Sequence, residues 1–188
     1  IVTIGGNGTT TSGGIYNGDG LKATNASVTS PGGLFVDTNG AVFFTDPVNN
    51  RVRGINTFGD IYTWAGTGNG NLGDDGFAIY ATLSGPSGVS QDSAGYVYIA
   101  DTSHERVRKV RPDGWITTVA GGGGSFDCGD GGPAAGACLH FPYAVAPESA
   151  GNYYIADQWN NGIRKVDTNG IITTLAGYAH ETPGFSGD

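Results

Sequence analysis

Methionine is absent from the 188 residues, cysteine occurs twice and histidine three times. Nine Lys and Arg stand against seventeen Asp and Glu, and charged residues make up only 14% of the chain. Each shortage excludes something. A formal net charge of −8 repels phosphate backbones, so nucleic acid is not an expected partner. No apolar run reaches the ~18 residues of a membrane-spanning helix. Two cysteines supply half the ligands of a structural zinc site. No N-terminal stretch reads as a signal peptide, and a chain opening on Ile1 is expected to be a mature product or an excised piece. Glycine is plentiful, 35 residues, far above the usual ~7%. It recurs at fixed offsets, which indicates turns.

Those offsets belong to a repeat. IVTIGG at residues 1–6 returns as IYTWAG at 61–66, ITTVAG at 116–121 and ITTLAG at 172–177. A Gly-Asp pair keeps step at Asp19, Asp74, Asp130 and Asp188, followed by Pro31, Pro86 and Pro142. Next come glycine turns at Gly40, Gly95 and Gly151, then Asp46, Asp101 and Asp157, and then a basic cluster. The units run 1–60, 61–115 and 116–171, with a partial fourth at 172–188. Fixed-period self-similarity on this scale marks a repeat architecture.

Within the second unit, GVSQ (88–91), YVYIA (96–100), RVRKV (106–110) and WITTVA (115–120) read as four short strands. Asp113-Gly114 supplies the positive φ of a hairpin turn. No helical period lasts ten residues. The second strand of every unit is apolar on both faces, as in Val97-Tyr98-Ile99, whereas a sheet with one wet face would alternate. Four antiparallel strands per repeat with double-sided burial make an all-β fold of propeller blades. Three blades leave the ring incomplete, and residues 1–6 are expected to be an extra outer strand without its blade.

YVYIADTSHERVRKVRPD (96–113), with weaker copies AVFFTDPVNNRVRGI (41–55) and NYYIADQWNNGIRKVDTNG (152–170), resembles the NHL-repeat β-propeller family. GDGGPA at 129–134 resembles the family's long-connector variant. The resemblance covers the whole chain and implies four-stranded blades, usually six in a ring. In the third copy Gly162 stands where Arg51 and Arg106 stand, so an Asp–Arg bridge of that kind is not expected in that unit. Some proteins of this architecture are lyases or lactonases with metal ligands near the axis.

Chemistry is sparse. His104, His140 and His180 fall at unrelated repeat offsets, so no shared metal or cofactor site is expected. Asp37, Asp92 and Glu148, like the connector aspartates, are expected to cap turns. The Arg and Lys clusters are expected on the solvent side of a strand. Trp64 and Trp115 read as packing residues, whereas Trp159, in a turn that carries Val48 and Ser103 in the other units, is a binding candidate. Cys128 and Cys138 bracket one connector and are expected to pair, closing a loop of ~10 residues for about 2.5–3 kcal/mol. Asn7 and Asn25 head N-glycosylation sequons. Both features suit a secreted protein. The expected function is a non-enzymatic extracellular scaffold whose blades assemble with further blades or with copies of itself, as a closed propeller or a filament. The alternatives are a fragment of a metal-assisted lyase or lactonase, and a protein- or glycan-binding module.

Overall fold

The structure is a computed structural model and describes residues 1–8, 18–67, 72–123 and 129–177. It is all β apart from single 3-10 turns, with three antiparallel sheets. The first holds β1 (Leu34–Val36), β2 (Val42–Asp46), β3 (Arg51–Ile55) and β4 (Ile61–Ala65) in that order. The second holds β6 (Gly88–Gln91), β7 (Val97–Asp101), β8 (Arg106–Val110) and β9 (Trp115–Ala120), with β5 (Gly76–Phe77) added outside β9. The third holds β10 (Pro142–Pro147), β11 (Tyr153–Asp157), β12 (Gly162–Val166) and β13 (Ile172–Gly177). Neighbouring strands follow in chain order, joined by the short turns the sequence indicates. The second sheet has a fifth strand because the glycine-rich connector runs back along the outermost strand. Single bridges Lys22–Asp60 and Pro133–Ile171 do the same in the other two sheets. This covers an edge that would otherwise expose unpaired backbone groups.

The sheets stack face to face as blades. One cluster joins Val52 and Ala65 of the first blade to Val89, Val97 and Ile99 of the second. Another joins Tyr98, Val107 and Ala120 of the second to Val145, Tyr153 and Ile155 of the third. Each junction is filled by one connector, through Ala78, Ala81 and Leu83 in the first and Ala134, Ala137 and Leu139 in the second. Ala23 and Ala26 do the same on the leading side of the first blade, over Phe44, Ile55 and Ile61.

Residues 1–6 form no strand, contrary to the sequence expectation. A strand needs a hydrogen-bonded neighbour, and the described chain offers none there. Their register survives nonetheless: Gly6 N–H donates to Ala23 O, as Gly66 does to Ala78 and Gly121 to Ala134.

Candidate functional site

The turn between the second and third strands of each blade is locked by one buried arginine and two carboxylates. Arg53, Arg108 and Arg164 rank among the most deeply buried side chains of the described chain. Their guanidinium groups reach Asp46, Asp101 and Asp157 at 3.3, 3.1 and 3.3 Å on one side. On the other they reach Asp19, Asp74 and Asp130 at 3.0, 2.8 and 2.7 Å. The strand-end carboxylates also accept from the turn, through Asn49, His104 and Asn160. Two of them accept from the connector, through the N–H groups of Ser84 and His140. Buried charge is tolerated because each guanidinium is paired with a carboxylate on both sides and each strand-end carboxylate accepts further hydrogen bonds.

This overturns three expectations. The basic clusters do not simply face solvent, since their central arginine is core. Gly162 is not the relevant departure, because the bridging arginine lies two residues further on and is present in all three blades. The connector aspartates Asp19, Asp74 and Asp130 grip that arginine instead of merely capping turns. Asp37 and Asp92 do cap: their Oδ1 atoms accept from Asn39 and Ala41, and from Ala94 and Tyr96, respectively. At Asp130 burial acts upward, but bonds from the Thr174 N–H and from Arg164 outweigh it and hold the carboxyl below its ordinary value. At Asp157 burial wins over the bonds from His140 N–H, Asn160 and Arg164, and the carboxyl is raised.

On the same rim, equivalent backbone carries very different side chains. Ser103 N–H donates to Ser84 O at 3.0 Å in the second blade, and Trp159 N–H donates to His140 O at 3.1 Å in the third. Where the second blade has Ser84, Gly85 and Ser103, the third has His140, Phe141 and Trp159. Trp159 stacks on Phe141 at 4.5 Å and 21°, with His140 edge-on at 5.0 Å. Trp159 remains 59% exposed. Phe141 takes φ +50°, where Gly85 has +52°. A bulky residue in this left-handed conformation is strained, which the fold itself does not require. The exposed turn position of Trp159 was legible in the sequence. His140 and Phe141 as its partners were not, although an aromatic in a glycine slot was the available signal.

The two outer blade faces are open. Leu34 stands where Val89 and Val145 stand in the later blades. It is 65% exposed, against 5% and 6% for those two, because they have a preceding blade. On the far side Ile163 stands where Val52 and Val107 stand, 40% exposed against 0% for each. Leu175 and Tyr143 are exposed beside it, and Val36 beside Leu34.

The other sequence candidates fall as follows. Cys138 is buried and no described cysteine is a free thiol, while Cys128 lies outside the described residues. Asn7 and Asn25 are exposed and adjacent, Asn7 Nδ2 donating to Asn25 O at 3.3 Å. His104 is a turn residue on Asp101, and His180 and Asp188 lie outside the described residues. Trp64 packs edge-on to Phe43, and Trp115 lies partly exposed against Phe77. Among the described residues no group of three or more His, Cys, Asp or Glu is placed to hold a metal, and no helix is long and apolar enough to cross a membrane.

A family model for the teneurin NHL domain matches residues 122–184. Over those residues the chain is similar to an NHL-repeat propeller. Among curated relatives, human teneurin-4 is 34% identical over 105 residues, 49% of this chain and 4% of that protein. Teneurin-m of Drosophila melanogaster is 29% identical over 169 residues, 83% of this chain and 6% of that protein. The chain therefore spans only a small fraction of the curated relatives it matches. Among solved structures, a streptogramin B lyase superposes with TM-score 0.56 at 16% identity, covering 80% of this chain and 42% of that one. A chain of a nidogen/laminin complex does so with TM-score 0.56 at 18% identity, covering 80% and 49%. At these identities the likeness shows the fold alone.

Proposed function

We propose that this chain is a non-enzymatic, extracellular interaction scaffold whose outer blade faces are covered by further blades, from a longer chain or from copies of itself. The observation that carries the reading is positional. Two repeat positions are apolar in all three blades, 34/89/145 and 52/107/163; each is buried wherever another blade adjoins it, the first open only on the first blade and the second only on the last. Exposed apolar faces of this kind mark interaction surfaces. A bridge between Cys128 and Cys138 and glycans on Asn7 and Asn25 would fit an oxidising, extracellular setting.

Light scattering on the purified chain tests this. The expectation is particles heavier than the 19.2 kDa of one chain, or a chain that becomes monodisperse only when expressed with adjoining blades. A stable 19.2 kDa monomer that binds no hydrophobic dye would overturn it.

The aromatic rim supports a second reading, a protein- or glycan-binding module built on Trp159. Binding to a glycan array that Trp159→Ala abolishes would favour it. The lyase or lactonase alternative has no observation of its own on the described residues.

A further inference from the structure

Trp159 stands in the 3-10 turn Gln158–Asn160, between β11 and β12. Its exposure does not depend on which blades adjoin the third. Val48 holds the same repeat position on the first blade and is 51% exposed with the second blade in place. Ser103 holds it on the second blade and is exposed with the third in place. His140 and Phe141, the partners of Trp159, lie in the connector between the second and third blades, both of which are present. The aromatic rim is therefore a property of this junction.

Gly85 shows that glycine serves the left-handed position there. Phe141 accepts the strain that Gly85 avoids and lays its ring along one face of Trp159. His140 meets both rings at an angle, 59° to Phe141 and 67° to Trp159. The indole is thus held from one side and open on the other, and a surface fixed in advance costs less to bind. Polar groups adjoin it. His140 Nε2 stands 3.8 Å from Glu105 Oε1 across the junction, both side chains being partly buried. That separation exceeds a hydrogen bond, and one ligand oxygen can bridge it.

These groups choose among the ligands that an indole face accepts. A hydroxyl donates and accepts at once, so one hydroxyl serves both His140 and Glu105. An ammonium only donates, so it suits Glu105 and opposes a His140 N–H. An extended peptide needs a groove or a strand edge. Here Phe141 lies beneath Trp159 and not beside it, which leaves one ring face, the width of one sugar ring. A net charge of −8 disfavours acidic sugars.

Resting on the second reading above, a binding module built on Trp159, we infer that the ligand is a neutral terminal pyranose of a glycan. Its C–H face lies on the open face of Trp159, and one of its hydroxyls bridges His140 and Glu105. A single sugar ring then carries the recognition, with a dissociation constant on the order of 1 mM for a ligand of that size.

Saturation-transfer NMR on the full chain tests this, with the methyl pyranosides of glucose, galactose, mannose and N-acetylglucosamine as probes. At least one is expected to bind near ~1 mM, with transfer concentrated on the C–H protons of one sugar face. Trp159→Ala should abolish the transfer. Glu105→Ala should weaken binding about ten-fold, because a hydrogen bond to a charged group is lost. Transfer that survives Trp159→Ala, or affinity that Glu105→Ala leaves unchanged, overturns the inference. So does a chain that binds none of the four sugars. If that chain instead binds tetramethylammonium or a lysine-rich peptide through Trp159, the module reading stands and only the sugar is wrong; if Trp159 engages no probe and a glycan array is also blank, both fall.

Discussion

Replacing Arg108 by Met is the most informative single perturbation of the folded chain. The side chain is fully buried and makes four contacts: Asp101 at 3.1 Å, Asp74 at 2.8 Å, and the carbonyls of Leu72 at 2.9 Å and Thr82 at 3.4 Å. Methionine keeps most of the volume and removes the charge. Asp101, itself completely buried, then keeps its bonds from Ser84 N–H and His104 but loses its countercharge. Breaking one side of a buried pair costs about 3–5 kcal/mol. For a domain of this size that lowers Tm by roughly 10 °C, at about 2–4 °C per kcal/mol. The assay is urea denaturation at fixed chain concentration, since any self-association adds to apparent stability. Combining Arg108→Met with Asp101→Asn should recover more than half of the loss, because the stranded charge goes with it. A single-variant loss below about 1 kcal/mol, or losses that simply add in the double variant, would refute the view that this charge pair holds the turn to the connector.

Three further outcomes are expected. Phe141→Gly trades a stacking contact worth about 0.5–1.5 kcal/mol against relief of left-handed strain of about 1–3 kcal/mol, so it should leave stability within about 1 kcal/mol or raise it while shifting Trp159 emission to the red; a larger loss would make the ring a core prop. Asp130, whose folded pKa is lowered, contributes stability that is present above the ordinary carboxylate value of about 4 and lost as pH falls through the lowered one, so Asp130→Asn should flatten the acid side of a stability-versus-pH curve below that point. Asp157 acts with the opposite sign, its raised pKa penalising the folded state above pH 4, so an acid limb unchanged by Asp130→Asn would refute the Asp130 assignment. If Cys128 and Cys138 are bridged, reductant should lower stability by about 2.5–3 kcal/mol, and a Tm indifferent to reductant would refute the pairing.

The blades were legible because turn chemistry and strand composition agree locally. GVSQ and WITTVA are strands with the ends the sequence indicates, β6 and β9. The arginines were misread because strand alternation says only that neighbours face opposite ways, not which way is in. Arg108 points into the blade junction and pairs with a carboxylate seven residues back. The deciding signal was the spacing itself: Asp46 to Arg53, Asp101 to Arg108 and Asp157 to Arg164 are identical, and a charge kept at one offset in every repeat has a partner at another. The outer strand expected at residues 1–6 failed for a complementary reason. Its composition is strand-like, but pairing is a property of the neighbour, and no neighbour is described.

The same propeller superposes on a lyase and on a chain of a nidogen/laminin complex, so the fold alone does not choose a function. The surfaces do. His104, which could be mistaken for a ligand, is spent on Asp101, and the third blade concentrates its unusual residues on a rim stack instead of a convergent polar cluster. The two open faces then constrain how copies could meet. An isologous dimer through the trailing faces would leave both leading faces and Leu34 in water, and one through the leading faces would do the reverse. The internal junctions show that a leading face is shaped for a trailing one, so a further blade in the same orientation, from a longer chain or from a copy, covers either face.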